Sequence, residues 1–215
     1  SRLMAPILSF TNQIIIIIPF FNEFKRFSFD DCKNLAQFNN LKILLVDDGS
    51  TDFLSSKIRS DLLAYYANIQ LLQINVNVGK SEALRIGLLQ ALQTEAEYIA
   101  FLDADFSVES KDVIAFLNKS VNSKFDYIFA VRDPKFSEGV VTSRFRRVQG
   151  RIFQFIANIV FSANFSDSQC GLKVFLANRI DAHKLNDPFV DKWLFELEFL
   201  LRNIFQSNCT LLTAP

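Results

Sequence analysis

The chain reads as an α/β fold in a single domain, a mostly parallel central sheet flanked by helices. Three observations predict it. The 215 residues are 50% hydrophobic and 21% charged, enough to bury one substantial core and too apolar for a disordered chain. Short apolar runs alternate with longer amphipathic ones through the first two thirds, the pattern of βαβ units. The short runs are apolar almost throughout, as strands covered on both faces must be.

In chain order, "IIIIIPFF" (14–21) comes first. It is β-branched, much shorter than the ~20 residues of a membrane-spanning helix, and lacks the flanks and cleavage site of a signal peptide. We read a buried strand at Ile14–Ile18, then a helix over 30–38 and a strand at Leu41–Val46. Ser50 and Thr51 precede a helix expected to begin near Asp52 and run to 66. A strand at Ile69–Ile74, a helix over 80–93 and a strand at Tyr98–Leu102 follow. Ser110, between Glu109 and Asp112, puts caps and negative charge at the start of a helix over 109–121, before a strand at Phe125–Val131.

The chain then changes character. "SRFRRVQGRIFQFIANIVF" (143–161) is basic at its start and apolar afterwards, as an interfacial helix or an ordinary buried core helix would be. A turn at Gly171, a short strand at Lys173–Leu176, a helix over 192–203 and a final strand in "TLLTAP" complete the reading. Without a linker or repeat, 1–215 reads as one catalytic domain. The start at Ser1 without Met and the abrupt stop at "LLTAP" read as a piece cut from something longer.

Composition narrows the function. Lys plus Arg and Asp plus Glu both number 23, which argues against a general nucleic-acid binder. Three cysteines without a CxxC pair read as reduced thiols in the cytoplasm. The only histidine, His183, has no ligand cluster around it, so it reads as a surface residue and not a zinc ligand. The 24 phenylalanines fit either compositional drift or rings at a lipid-facing surface.

Ligands of open parallel sheets bind beyond the carboxyl ends of the strands. Here three such ends carry polar groups: "PFFNE", "DDGSTD" and "DADFS". Each alone is a common turn; their succession is far more specific. Asp103 and Asp105 are read as facing different ways, one ligating a hard divalent cation and the other meeting a ribose or a metal-bound water. Mg²⁺ or Mn²⁺ held by one or two carboxylates, with substrate phosphates completing the shell, is the usual arrangement. Asp48 can accept hydrogen bonds from a base N–H or a ribose hydroxyl. "NVGKSEA" (77–83) sets Gly79 and Lys80 at a helix N-terminus, which suits a phosphate, although a solvated lysine fits Lys80 too. Arg132, Arg144, Arg146, Arg147 and Arg151 form a basic group suited to phosphate, with Arg147 and Arg151 one helical turn apart.

Taken together, "IIIIIPFFNE", "LLVDDGSTD", "NVGKSEALRIGL", "FLDADFS" and "DSQCGLKVF" resemble glycosyltransferase family 2, over residues 13 to 215. The resemblance is strongest to its dolichyl- or polyprenyl-phosphate glucosyl- and mannosyltransferase branch, through the Q-C-G-x-K segment. It implies a GT-A fold, with residues 13–131 binding the nucleotide sugar and 132–215 the acceptor. By resemblance Pro19, Phe21, Glu23, Val46 and Asp48 line the nucleotide pocket, and Asn77, Gly79, Lys80 and Gln169 lie near the nucleotide sugar. Asp103, Ala104 and Asp105 match the D-x-D motif, with Asp105 the metal ligand. Phe21 stands in place of a usual Tyr, and Ser81 in place of a Gly. Ser107 stands where mannosyl-transferring members have a metal-binding Gln. "WLFELEFL" matches W-x-F-D-V-E with the longer Glu196 in the Asp place.

The activity implied is inverting, Mg²⁺- or Mn²⁺-dependent transfer from a nucleotide-diphosphate sugar to a lipid phosphate at the cytoplasmic face of a membrane. Asp105, Arg132, Arg147, Arg151 and Glu196 would carry it. A saccharide acceptor is the nearest rival, and needs a carboxylate base, Glu196 or Asp167. A receiver domain would place its paired acids after the first strand, and a non-catalytic nucleotide-binding module would bind donor without turnover.

Overall fold

Five consecutive isoleucines set the centre of the sheet. The computed structural model describes residues 11–123, 125–130, 171–190, 198–199, 202–203 and 211–214. β1 (Ile14–Phe20) is buried along its whole length. It lies between β2 (Leu41–Asp48) and β4 (Tyr98–Phe101), parallel to both. Its side chains alternate between two core layers, as the period of two in a strand requires. Ile14, Ile16 and Ile18 pack with Leu35, Leu41 and Ile58, while Ile15 and Ile17 pack with Ala83, Leu84 and Leu88.

Pro19 is tolerated inside β1 because of where its partner ends. The Ile17 carbonyl accepts from the Leu102 amide, so Ile17 and Pro19 both turn their backbone groups toward β4. β4 pairing stops at Phe101 opposite Ile17, and the missing N–H of Pro19 falls beyond the ladder.

β3 (Ile69–Ile74), β5 (Tyr127–Ala130), β6 (Lys173–Leu176) and β7 (Leu211–Ala214) complete a seven-stranded sheet of order β3-β2-β1-β4-β6-β5-β7. Among the described strands β6 alone runs antiparallel to its neighbours. Its first residue, Lys173, therefore lies beside Phe101, at the carboxyl end of β4.

Among the described residues lie helices α1 (Phe29–Ala36), α2 (Leu54–Ile58), α3 (Lys80–Ala91) and α4 (Ser110–Val121). α3 lies close on β1 and β2 because Gly87 has no side chain; a Cβ there would meet Ile17 Cγ2 at 2.8 Å and Val46 Cγ2 at 3.0 Å. Two expected helix starts differ. α2 opens at Leu54, whose amide donates to Asp52 Oδ1 at 3.1 Å, and continues as a π-helical turn, Arg59–Leu63. Ser50 and Thr51 are instead tied to the β1 loop, with Asn22. Ser110 does not cap α4: it is the first helical residue, and its amide donates to Asp31 Oδ1 of α1 at 2.8 Å.

Glu198, Phe199, Arg202 and Asn203 are helical, within the helix expected over 192–203. The segment 143–161, Cys170 and Cys209 lie outside the described residues. Burial pushes the Cys32 thiol up to about 12, so it stays protonated and unreactive at neutral pH. His183 is exposed. No helix among the described residues is long and apolar enough to cross a membrane.

Candidate active site

The loops after β1, β2 and β4 meet at one edge of the sheet, and the residues that join them are polar. Asn22, at φ 54°, is the clasp. Its side-chain oxygen accepts from Thr51 N (2.8 Å) and Asp52 N (3.2 Å), while its own amide donates to Ser50 Oγ (3.0 Å). Asp52 returns the link by accepting from Phe24 N at 2.9 Å. Neither Asn22 nor Asp52 stood out in the sequence, because the bonds that clasp the two loops join segments about 30 residues apart.

The two acids of "DDGS" are both buried. Asp47 holds its own turn, accepting from Ser50 N at 2.8 Å and from the Ser55 hydroxyl. Asp48, expected to meet a base or a ribose, is 3% exposed. Its two oxygens accept from Val78 N (2.8 Å) and Gly79 N (2.9 Å). Asp48 thus fixes the loop that delivers Lys80 to the start of α3. Gly79 takes φ 96° there, a conformation that suits glycine. Asn77 is exposed in the same loop.

Lys80 Nζ reaches Asp103 Oδ1 at 2.5 Å. Behind Asp103 stands Gly171, where a Cβ would lie 2.2 Å from Asp103 Oδ2. Asp105 turns elsewhere: Oδ1 accepts from Ser107 N at 3.0 Å and Oδ2 lies 3.8 Å from Arg26 Nη1. The two carboxylates part because the chain turns at Ala104–Asp105; in a continuing strand, residues two apart would share a face. The turn closes with Phe106 N on the Asp103 carbonyl. Phe106 sits at φ 47°, unusual for a bulky residue. Its buried ring holds it there, edge-on to Phe27 at 5.6 Å.

Arg26 was not singled out in the sequence. It makes a two-pronged ion pair with Glu23, and that bond chiefly raises its already high pKa, so it stays charged. Phe21 presents a ring 42% exposed, while Val46 and Ala104 are buried in the core and offer no comparable surface. A cleft opens between α3 and the ends of β1, β4 and β6, lined by Pro19, Lys80, Leu84, Phe101, Leu102, Asp103, Gly171 and Lys173.

A family model, "Glycosyl transferase family 2", matches residues 15–180. The chain belongs to glycosyltransferase family 2. The fold is GT-A, and the glycosyltransferase reading of the sequence holds. An uncharacterised protein of Methanocaldococcus jannaschii is 26% identical over 191 residues, covering 86% of this chain and 81% of that protein. A dolichyl-phosphate beta-glucosyltransferase of Trichomonas vaginalis is 26% identical over 165 residues, covering 74% of this chain; the chain spans 49% of its length. The structure of a mannosyltransferase from Pyrobaculum calidifontis, in complex with GDP-Man and Mn²⁺, superposes with a TM-score of 0.59 at 16% identity. That match covers 98% of this chain and 57% of the other.

For this glycosyltransferase the described residues bring together Pro19, Lys80 and Asp103 at one cleft, with Glu23 and Asp105 joined through Arg26 beside it. Arg132, Arg144, Arg146, Arg147, Arg151, Asp167, Gln169 and Glu196 lie outside the described residues. Glu198 has a structural part: it pairs with Arg202 at 2.5 Å and accepts from Val190 N at 2.9 Å.

Proposed function

We propose that this glycosyltransferase moves a sugar, with inversion, from a nucleotide-diphosphate sugar to a polyprenyl-type lipid phosphate at the cytoplasmic face of a membrane. The observation that carries the donor half is the Lys80–Asp103 pair at the mouth of a cleft, at the N-terminus of a twelve-residue helix. Helix dipole and ammonium both favour a diphosphate there. The lipid acceptor is supported by the dolichyl-phosphate relative and by the arginine group of the sequence.

The donor set also fits a divalent cation. Asp103 and Asp105 have side chains 32% and 35% exposed, and their partners Lys80 and Arg26 are 51% and 64% exposed, so both carboxylates are open to solvent on at least one side. Among the described residues no three His, Cys, Asp or Glu gather into a metal cage. Mg²⁺ and Mn²⁺ commonly take one or two carboxylates and complete the shell with phosphates. Asp105, with Asp103, would hold it, and bound there it would supply Lewis-acid neutralisation of the departing diphosphate.

The chain's own groups do the rest. Phe21 offers a face for the base, and Asp48 holds the loop that aims Lys80 at the diphosphate. Arg132, Arg147 and Arg151 orient the acceptor phosphate. Its ionised oxygen attacks the anomeric carbon as the bond to the nucleoside diphosphate breaks, so no strong general base is required. The test is turnover of UDP- and GDP-sugars with Mn²⁺ on a polyprenyl phosphate and, in parallel, on a sugar acceptor. Transfer to the sugar alone refutes the lipid reading.

A further inference from the structure

We propose that Lys173 is a phosphate-binding residue of the cleft, which it lines together with Lys80. This rests on the nucleotide-sugar reading and assigns a residue that the reading leaves out. Lys173 is 2% exposed. Lysine is almost never buried so fully without a compensating environment, since taking the charge out of water costs several kcal/mol. Its surroundings include the Phe129 ring, whose centroid lies 6.0 Å from Nζ, and the cleft that it lines with Asp103 and Lys80.

Topology explains why such a residue is here. Ligand-binding residues of a parallel sheet come from the carboxyl ends of strands. β6 is reversed, so its first residue, Lys173, reaches that edge, level with Phe101 of β4 and Phe129 of β5. The same reversal brings Gly171 against Asp103. Lys173 also shares the sheet face of Phe175, which packs in the layer of Ala83 and Leu84 of α3, two residues otherwise far away in sequence. Lys80, Asp103 and Lys173 thus line one cleft on the β4–β6 side of the sheet. A buried cation beside an apolar wall interacts strongly with an entering anion, because little water screens it.

The anion is a phosphate, either of the donor diphosphate or of the acceptor. Calorimetry and kinetics on wild type, Lys173→Met and Lys173→Arg separate the two. A donor contact predicts that Lys173→Met binds UDP or GDP about 10-fold or more weakly, as loss of a charged hydrogen bond implies. UMP or GMP affinity then stays within about twofold, and Lys173→Arg recovers part of the loss. An acceptor contact predicts unchanged nucleotide affinity and a KM for polyprenyl phosphate raised by about the same factor. If wild type binds the nucleoside diphosphate and Lys173→Met matches it in every arm, Lys173 is structural and this inference alone falls. If wild type binds no nucleoside diphosphate, the proposed function falls and takes this inference with it. Should Lys173→Met fail to fold, ¹⁵Nζ-lysine NMR on wild type decides, with Lys173→Arg identifying the signal. A Lys173 signal that moves with GDP, UDP or the lipid phosphate supports the contact, and one that ignores all three overturns it.

Discussion

At the scale of single residues, this site is built from acids with different tasks. Asp48 is structural in effect: it is buried and accepts two backbone amides of the Lys80 loop. Asp48→Asn keeps the shape but can offer only one acceptor oxygen, so we expect a loss of about 1.5–3 kcal/mol in denaturant unfolding. Asp105 is partly exposed and its substitution should leave the fold intact. Asp105→Asn is expected to lower kcat/KM by about 100-fold or more, with a melting temperature within a few degrees of wild type; full activity in a metal-dependence assay refutes its role. Gly171→Ala is the subtler test. The added methyl would stand 2.2 Å from Asp103 Oδ2, so Asp103 must leave Lys80. We expect about a tenfold or greater loss of activity with a small change in stability, read from kinetics beside a thermal melt.

At the scale of elements, α4 is capped by another helix. Asp31 of α1 accepts from Ser110 N and from the Ser28 hydroxyl, so one carboxylate joins two helix starts. Burial works to raise the Asp31 pKa, but the Ser28 and Ser110 hydrogen bonds outweigh it and hold the carboxyl below its ordinary 3.8. A folded pKa below the unfolded one means that this stabilisation is present in full above pH 3.8. It fades as pH falls through the lower folded value. Asp31→Asn should cost about 1 kcal/mol at neutral pH, the usual worth of a cap. The difference from wild type should shrink in acid, followed by urea unfolding from pH 7 downward. A pH-independent difference rules out the carboxylate as its source.

At the scale of the whole molecule, the sheet is covered on both faces and the ligand edge depends on how closely the helices lie on it. Gly87 lets α3 approach β1 and β2, and α3 in turn carries Lys80. Gly87→Leu must push Ile17 and Val46 aside, with an expected loss of about 1–3 kcal/mol. It should also weaken nucleotide binding, because the N-terminus of α3 moves with the helix; unchanged binding would separate the core from the site.

Much of this was legible in the chain. The run at Ile14–Ile18 announced its strand because apolar β-branched sequence has little else to become, and the short apolar stretches at Ile69–Ile74 and Lys173–Leu176 are too brief for helices. The order of "PFFNE", "DDGS" and "DADFS" announced the ligand edge, since chain direction alone puts every parallel strand's carboxyl end on one side. Sequence also separated Asp103 and Asp105, and the turn at Ala104–Asp105 is what divides them. Tertiary structure alone decided the partners. Asp48 with the Gly79 loop, Asn22 with Thr51, Arg26 with Asp105 and Gly171 against Asp103 all join segments well apart along the chain. No local pattern encodes such pairs, because their partners come within reach only once the sheet brings distant loops to one edge.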